Sequence, residues 1–321
     1  MIYNNDNSIN MKRLIGLFVF VVAVIGSYFT FSEADAGLEG GQNAVVSAAK
    51  DSGNEAGGEG DVAYDGSESA GGSAQEADGD GNGSGRGDRV TNDDRLEMPV
   101  SPSGINERIL ERMGYVTSYN ADTRQPNWVA WCLTERRTTG GSKRSECSFT
   151  ADEEVPAPRA EDRDYRSSGY DRGHMCPAGD NKWDMEAMRQ SFLFTNICPQ
   201  APQLNRGDWN EMEMACRKWA AKYGKLYVVC GPIFYKGKKK TIGANRVAVP
   251  NAFFKVVLRL GDSPRAIGFI YKNEDGNRPK GDYANSVDQV ERITGIDFFP
   301  NLPDDVEKSV ESVCNPDDWD I

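Results

Sequence analysis

The chain has 321 residues and a formal net charge of −12, which taken whole argues against a polyanionic partner. The acidity is uneven, however: residues 37–90 hold eleven acids against three basic residues, and the stretch from Asp304 holds seven against Lys308, so residues 91–303 come to +3. The length allows one or two domains, and the mild positive balance of the central part permits nucleic-acid binding without demanding it.

At the N-terminus, Met11-Lys12-Arg13 precedes an apolar run over 14–31 and then Ala34-Asp35-Ala36. A basic segment, an apolar segment and a small-x-small site describe a signal peptide over 1–36, cleaved after Ala36. The competing reading is an uncleaved anchor tethering the chain to a membrane, because the run approaches the length that spans a bilayer. Either way the expected location is outside the cytoplasm: secreted, periplasmic or at the cell surface. Residues 37–95 are rich in Gly, Ser, Ala and acid, with too few apolar side chains to offset the entropy of ordering, and read as a disordered linker. Their Gly-Asp repeats lack the glutamate and spacing of a calcium loop. All seven cysteines fall after residue 130. In an exported chain they suggest disulfides, with at least one thiol left over or paired between molecules. With no Cys-x-x-Cys pair and a single histidine, structural zinc is not expected.

Beyond the linker, 106–113 reads as a short helix, 114–120 as an early strand and 127–134 as a stronger one, dense in aromatic and β-branched residues. A charged, proline-bearing loop over 149–166 leads to an extended segment at 170–175. A helix over 184–190 and a strand over 191–197, closed by Cys198-Pro199-Gln200, follow. Asp208 with Glu211 has the spacing of a capping box, and the helix it opens should run to Tyr223, where Gly224 stops it. Strands are expected at 226–230, 247–249, 252–260 and 266–271, and a helix at 286–294. Strands and helices mixed without βαβ regularity predict an α+β domain with a mixed or antiparallel sheet core.

His174, in Asp171-Arg172-Gly173-His174-Met175-Cys176-Pro177, is the chain's one histidine. Imidazole titrates nearest physiological pH and is the usual general base. A lone histidine is nevertheless more often a surface or satisfied core residue, so its claim depends on partners. The amide oxygen of Asn205 is a hard, neutral ligand suited to Mg²⁺. Glu213 and Arg217 lie four apart on one helix face and are expected to pair, an arrangement that is ordinarily a surface ion pair. Phosphodiester hydrolysis needs a base for water, a cation near the leaving oxygen and positive charge for the transition state. His174, a metal at Asn205, and Arg172 and Arg217 supply such a set.

Together, Asp-Arg-Gly-His, 195–200 and 204–209 with Glu213 and Arg217 resemble the DNA/RNA non-specific endonucleases, a family with mitochondrial and secreted bacterial members. The steps of nine residues from Asn196 to Asn205, eight to Glu213 and four to Arg217 match the family, and the likeness runs from about Tyr115 to Pro303. It implies a ββα-metal (His-Me) finger within the α+β fold. It also implies Mg²⁺-dependent cleavage of DNA and RNA with little sequence preference, leaving 5′-phosphates, with Mn²⁺ or another divalent cation as substitute. His174 would be the general base, Asn205 the one direct metal ligand, and Glu213 the holder of metal-bound waters. Arg172 and Arg217 would contact phosphate, and Asn196 would position the histidine and its surroundings. Gly173 would let backbone and substrate approach closely. Arg144 would be the further substrate-binding arginine after the second strand. The domain is expected at 96–303, with 304–321 an acidic tail. The rival reading is a catalytically silent, exported nucleic-acid-binding protein that keeps the fold. Trp209 and Trp219 read as core rather than base-stacking residues, and Lys236-Gly237-Lys238-Lys239-Lys240 as a solvated loop.

Overall fold

The computed structural model describes residues 95–321; the expected signal peptide or anchor, and the linker up to residue 94, lie outside the described residues. In chain order the strands are β1 (Arg108–Glu111), β2 (Val116–Asn120), β3 (Gln125–Thr134), β4 (Asp171–His174), β5 (Ile197–Gln200), β6 (Lys225–Ile233), β7 (Thr241–Ile242), β8 (Val247–Ala248), β9 (Ala252–Arg259), β10 (Arg265–Lys272) and β11 (Ala284–Asn285). Seven of them form one sheet in the order β1-β2-β3-β6-β9-β10-β11, antiparallel throughout. The helices are α1 (Met185–Ser191), α2 (Pro202–Arg206), α3 (Asp208–Tyr223), α4 (Val287–Thr294) and α5 (Asp304–Glu311), with single helical turns elsewhere. This is the α+β architecture that the mixed order of elements predicts.

Side chains alternate across the sheet and build a core on each face. Trp131, Leu133, Val228, Phe253 and Val257 pack with Trp209, Met212 and Trp219 of α3. Trp128, Ala130, Val229, Phe254 and Val256 pack with Val287 and Val290 of α4 and Val310 of α5. By this alternation Lys255, between Phe254 and Val256, belongs to the α3 face. Gly224 ends α3 at φ 83°, and α4 runs from a Ser286–Gln289 capping box to Gly295 in the left-handed region.

Four expectations of local structure are corrected. Residues 108–111 form an edge strand, not a helix, because Arg108 to Glu111 register against Tyr119 to Val116, and pairing the open edge of β2 outweighs local helix preference. Phe194–Asn196 is a 3₁₀ turn closed by Asn196 N donating to Leu193 O at 2.8 Å, so pairing starts only at Ile197. Asp208 and Glu211 form no capping box: Asp208 Oδ2 accepts from the Asn277 amide at 2.7 Å and from the Tyr283 hydroxyl, while Glu211 pairs with Lys280 at 2.6 Å. These acids fasten the loop before β11 to the start of α3. Residues 304–321 are not a tail. α5 buries Val310, and Trp319, 1% exposed, accepts Trp219 Nε1–H on its carbonyl at 2.7 Å.

Candidate active site

β4 and β5 pair antiparallel, with Asp171 opposite Gln200 and His174 opposite Ile197. The chain then passes through α2 into α3, giving a ββα finger. Met175, Cys176, Cys198 and Leu204 seat the finger in the core on the α3 face of the sheet. Trp209 Nε1 donates to His174 O at 3.2 Å and ties β4 to α3. A Cβ at Gly173 would collide with the Gln200 side chain, so packing against Gln200 by itself requires glycine here.

His174 is 6% exposed. Its ring lies 5.3 Å from Phe149 and 4.8 Å from the edge-on ring of Phe192, centroid to centroid, and its Nε2 is buried without a hydrogen-bond partner. Burial, and secondarily the charge of Arg144, lower its pKa from 6.5 to about 3. The imidazole is therefore neutral across the physiological range, at the expense of its basicity.

Asn196 is wholly buried and fully engaged. Its Oδ1 accepts the Cys176 amide at 2.9 Å, and its Nδ2 donates to the Cys176 and Ser191 carbonyls at 2.8 and 2.7 Å. It clamps the backbone two residues beyond His174 and offers nothing to a ligand. Asn205, half-buried on α2, is oriented from the start of β4: its Nδ2 donates to Asp171 Oδ2 at 3.1 Å. Arg206 secures the same carboxylate with Nε and Nη2 at 2.8 and 2.9 Å. With its nitrogen committed, the Asn205 amide has its carbonyl oxygen left as donor to a ligand.

The arginines divide. Arg172 Nε donates to Asp162 Oδ1 at 2.8 Å, and the guanidinium lies over Phe149 and Tyr165 at 5.6 and 5.7 Å. Arg144, exposed on a 3₁₀ turn, lies 5.5 Å over Phe192 and acts electrostatically on both His174 and Glu213. Arg217 departs from expectation: its Nη1 pairs with Asp180 Oδ1 at 3.1 Å instead of with Glu213. Asp180 is 1% exposed and also accepts Trp131 Nε1–H at 3.1 Å, so its need for a cation exceeds that of half-buried Glu213. Burial raises the Glu213 carboxyl to about 7 against the opposing pull of Lys255 and Arg217.

Sequence reasoning passed over Asp162, Asp180 and Lys255. Lys255 is fully buried, its Nζ has no hydrogen-bond partner, and it lies 4.4 Å over Trp209 and 5.4 Å over Trp131. Burial alone would lower its pKa; Cys230, Cys216, Glu213 and Asp180 outweigh it and raise the net value. A lysine in the apolar run Phe253-Phe254-Lys255-Val256-Val257 was the available signal. The seven cysteines are all free thiols, which corrects the expectation of disulfides. Cys176, Cys198, Cys216 and Cys230 are buried in the core under the finger, where thiols behave as small apolar groups; burial raises Cys216 and Cys230 to about 12.

Residues 92–305 match the DNA/RNA non-specific endonuclease model, and the chain belongs to that family of divalent-metal-dependent nucleases. Over 223 residues it is 36% identical to the mitochondrial nuclease EXOG of Xenopus laevis, covering 64% of this chain and 61% of that protein. Human mitochondrial endonuclease G is 34% identical over 209 residues, 61% of this chain and 70% of that one. Nuclease C1 of Cunninghamella echinulata var. echinulata is 37% identical over 215 residues, 62% and 85% of the two chains. A crystal structure of the EndoG/EndoGI complex matches with a TM-score of 0.60 and 31% identity, over 61% of this chain and 87% of that one. The chain thus spans about three fifths of the Xenopus protein's length. The expected export is overturned: the EXOG, endonuclease G and Schizosaccharomyces pombe nuclease 1 relatives are all named mitochondrial.

Proposed function

We propose that the chain is a metal-dependent endonuclease that hydrolyses phosphodiester bonds in DNA and RNA with little sequence preference and leaves 5′-phosphates. The named location of its relatives supports a mitochondrial compartment. The carrying observation is that one finger presents a neutral imidazole together with an amide whose nitrogen is pinned by Asp171.

The Asn205 donor set fits a hard divalent cation such as Mg²⁺, with Glu213 to hold its waters. When bound, the cation stabilises charge on the leaving 3′-oxygen. His174 takes the proton of the attacking water, and the phosphate's negative charge beside the ring raises the basicity that burial has lowered. Arg144, Arg172 and Arg217 attract and orient phosphate. Asn196 is a positioning residue, acting through the backbone it clamps. Contacts aimed at phosphate carry no base information, in keeping with low specificity.

The test is digestion of plasmid DNA and of RNA with Mg²⁺ or with EDTA, comparing wild type with His174→Ala and Asn205→Ala. Cleavage should require the metal and fall by orders of magnitude in both variants. Undiminished cleavage by His174→Ala would sink the mechanism, and no cleavage by wild type would favour the silent nucleic-acid-binding reading.

A further inference from the structure

On the opposite face of the sheet, away from the finger, three carboxylates converge between α4 and α5. Asp288 and Glu291 lie one turn apart on α4, and Glu311 ends α5; a carboxylate oxygen of each comes within 4.8 Å of the others. Glu291 and Asp288 are half-buried, and Glu291 already accepts the Phe298 amide at 2.8 Å. Glu311 is different. It is 5% exposed, and its Oε1 is buried without a hydrogen-bond partner, a costly state for a carboxyl oxygen.

The charges that act most strongly on Glu311 add to that cost. They are themselves acids, Glu291, Glu307, Asp288 and Asp297. Glu311 also stands at the C-terminal end of its helix, where the dipole disfavours an anion. A positive charge held between the two helices answers all of these at once.

We propose that Asp288, Glu291 and Glu311 form a second divalent-cation site, suited to Ca²⁺, that fastens α5 onto α4 and stands apart from the hydrolytic centre. Three carboxylates are hard oxygen ligands. Ca²⁺ accepts six to eight such oxygens in flexible geometry, whereas the smaller Mg²⁺ demands a near-ideal octahedron and gives up its waters reluctantly. The partial exposure of Asp288 and Glu291 leaves an entry path and room for waters to complete the shell. The ion would lock in place the helix that delivers Val310 to the core beside Val287, Val290 and Phe298.

The test uses the full chain carrying Asn205→Ala, which removes the finger's proposed metal ligand, so that failure here and failure of the nuclease reading remain distinguishable. Calcium is titrated by calorimetry at pH 7.5 and its effect on the thermal midpoint is followed. One ion per chain is expected, with the midpoint rising by about 5 °C or more at a hundredfold excess over Kd. Adding Glu311→Gln should abolish both responses, and adding Asp288→Asn should weaken binding about tenfold or more. The proposal is overturned if the Asn205→Ala protein shows no calcium response, or if Glu311→Gln binds like its parent. Should Glu311→Gln not fold, parental affinity in Asp288→Asn overturns it equally.

Discussion

His174 offers a direct test of the electrostatics of the site, because no other imidazole is present to obscure it. Its folded pKa is about 3, against 6.5 in an exposed chain. Between those values the unfolded state binds more protons than the folded one, so stability rises with pH there and is lost as pH falls below 6.5. At roughly 1.36 kcal/mol per pH unit, lowering the pH to 5 should cost wild type about 2 kcal/mol that His174→Asn does not lose. Other titrating groups are common to both proteins and cancel in the difference. Urea unfolding of the pair at pH 5, 6, 7 and 8 measures that difference, and the single imidazole C–H resonance reports the pKa itself. An imidazole titrating near 6.5, or a difference that stays flat from pH 8 to 5, would refute the claim that burial against Phe149 and Phe192 holds the ring neutral.

Three further outcomes follow from the partners of the site. Asn196→Ala leaves the Cys176 amide and the Cys176 and Ser191 carbonyls unpaired; at about 1–3 kcal/mol for each buried orphan, urea unfolding should show a loss of about 3 kcal/mol or more. Asp171→Ala frees the Asn205 amide to rotate, and the Mg²⁺ concentration for half-maximal cleavage should rise about 10- to 100-fold while the fold is kept. Lys255→Met replaces a buried ammonium with an apolar chain of similar length, so stability should change by only about 1 kcal/mol. Cleavage should nevertheless drop, because Glu213 and Asp180 lose a counter-charge; undiminished cleavage would show that Lys255 serves packing alone.

Much of the scaffold was legible. Dense β-branched and aromatic runs marked β3, β6, β9 and β10, and Gly224 marked the end of α3, because those signals are local. The spacing of His174, Asn196, Asn205, Glu213 and Arg217 identified the family. The partners were hidden, since each comes from a distant segment. Asp180 reaches Arg217 across 37 residues, and Phe149 meets His174 from a loop that carries no regular pattern. The helical i,i+4 rule suggested Glu213 for Arg217 because it considers one helix alone, whereas a buried aspartate outside that helix competed for the same guanidinium. The edge strand β1 and the folded 304–321 segment were missed for the same reason: what orders them is contact with the sheet and with Trp219, not their own composition.

Burial acts on the two ionisable ends of the finger in opposite senses. It lowers the pKa of His174 and raises that of Glu213, since a low-dielectric setting penalises whichever form is charged. Both groups are thereby driven towards neutrality: the imidazole is held unprotonated, while the Glu213 carboxyl resists giving up its proton. The cations around them are arranged to correct only the second effect. Lys255 and Arg217 pull Glu213 back towards ionisation, and Lys255 does so from beneath the sheet side of α3, where it cannot reach substrate. Arg144 pulls the same way but from the exposed side, and on His174 it adds to the larger effect of burial in keeping the imidazole unprotonated. In the proposed mechanism a phosphate drawn to Arg144 would weaken that influence on the ring, so this exposed arginine would couple substrate binding to the basicity of His174.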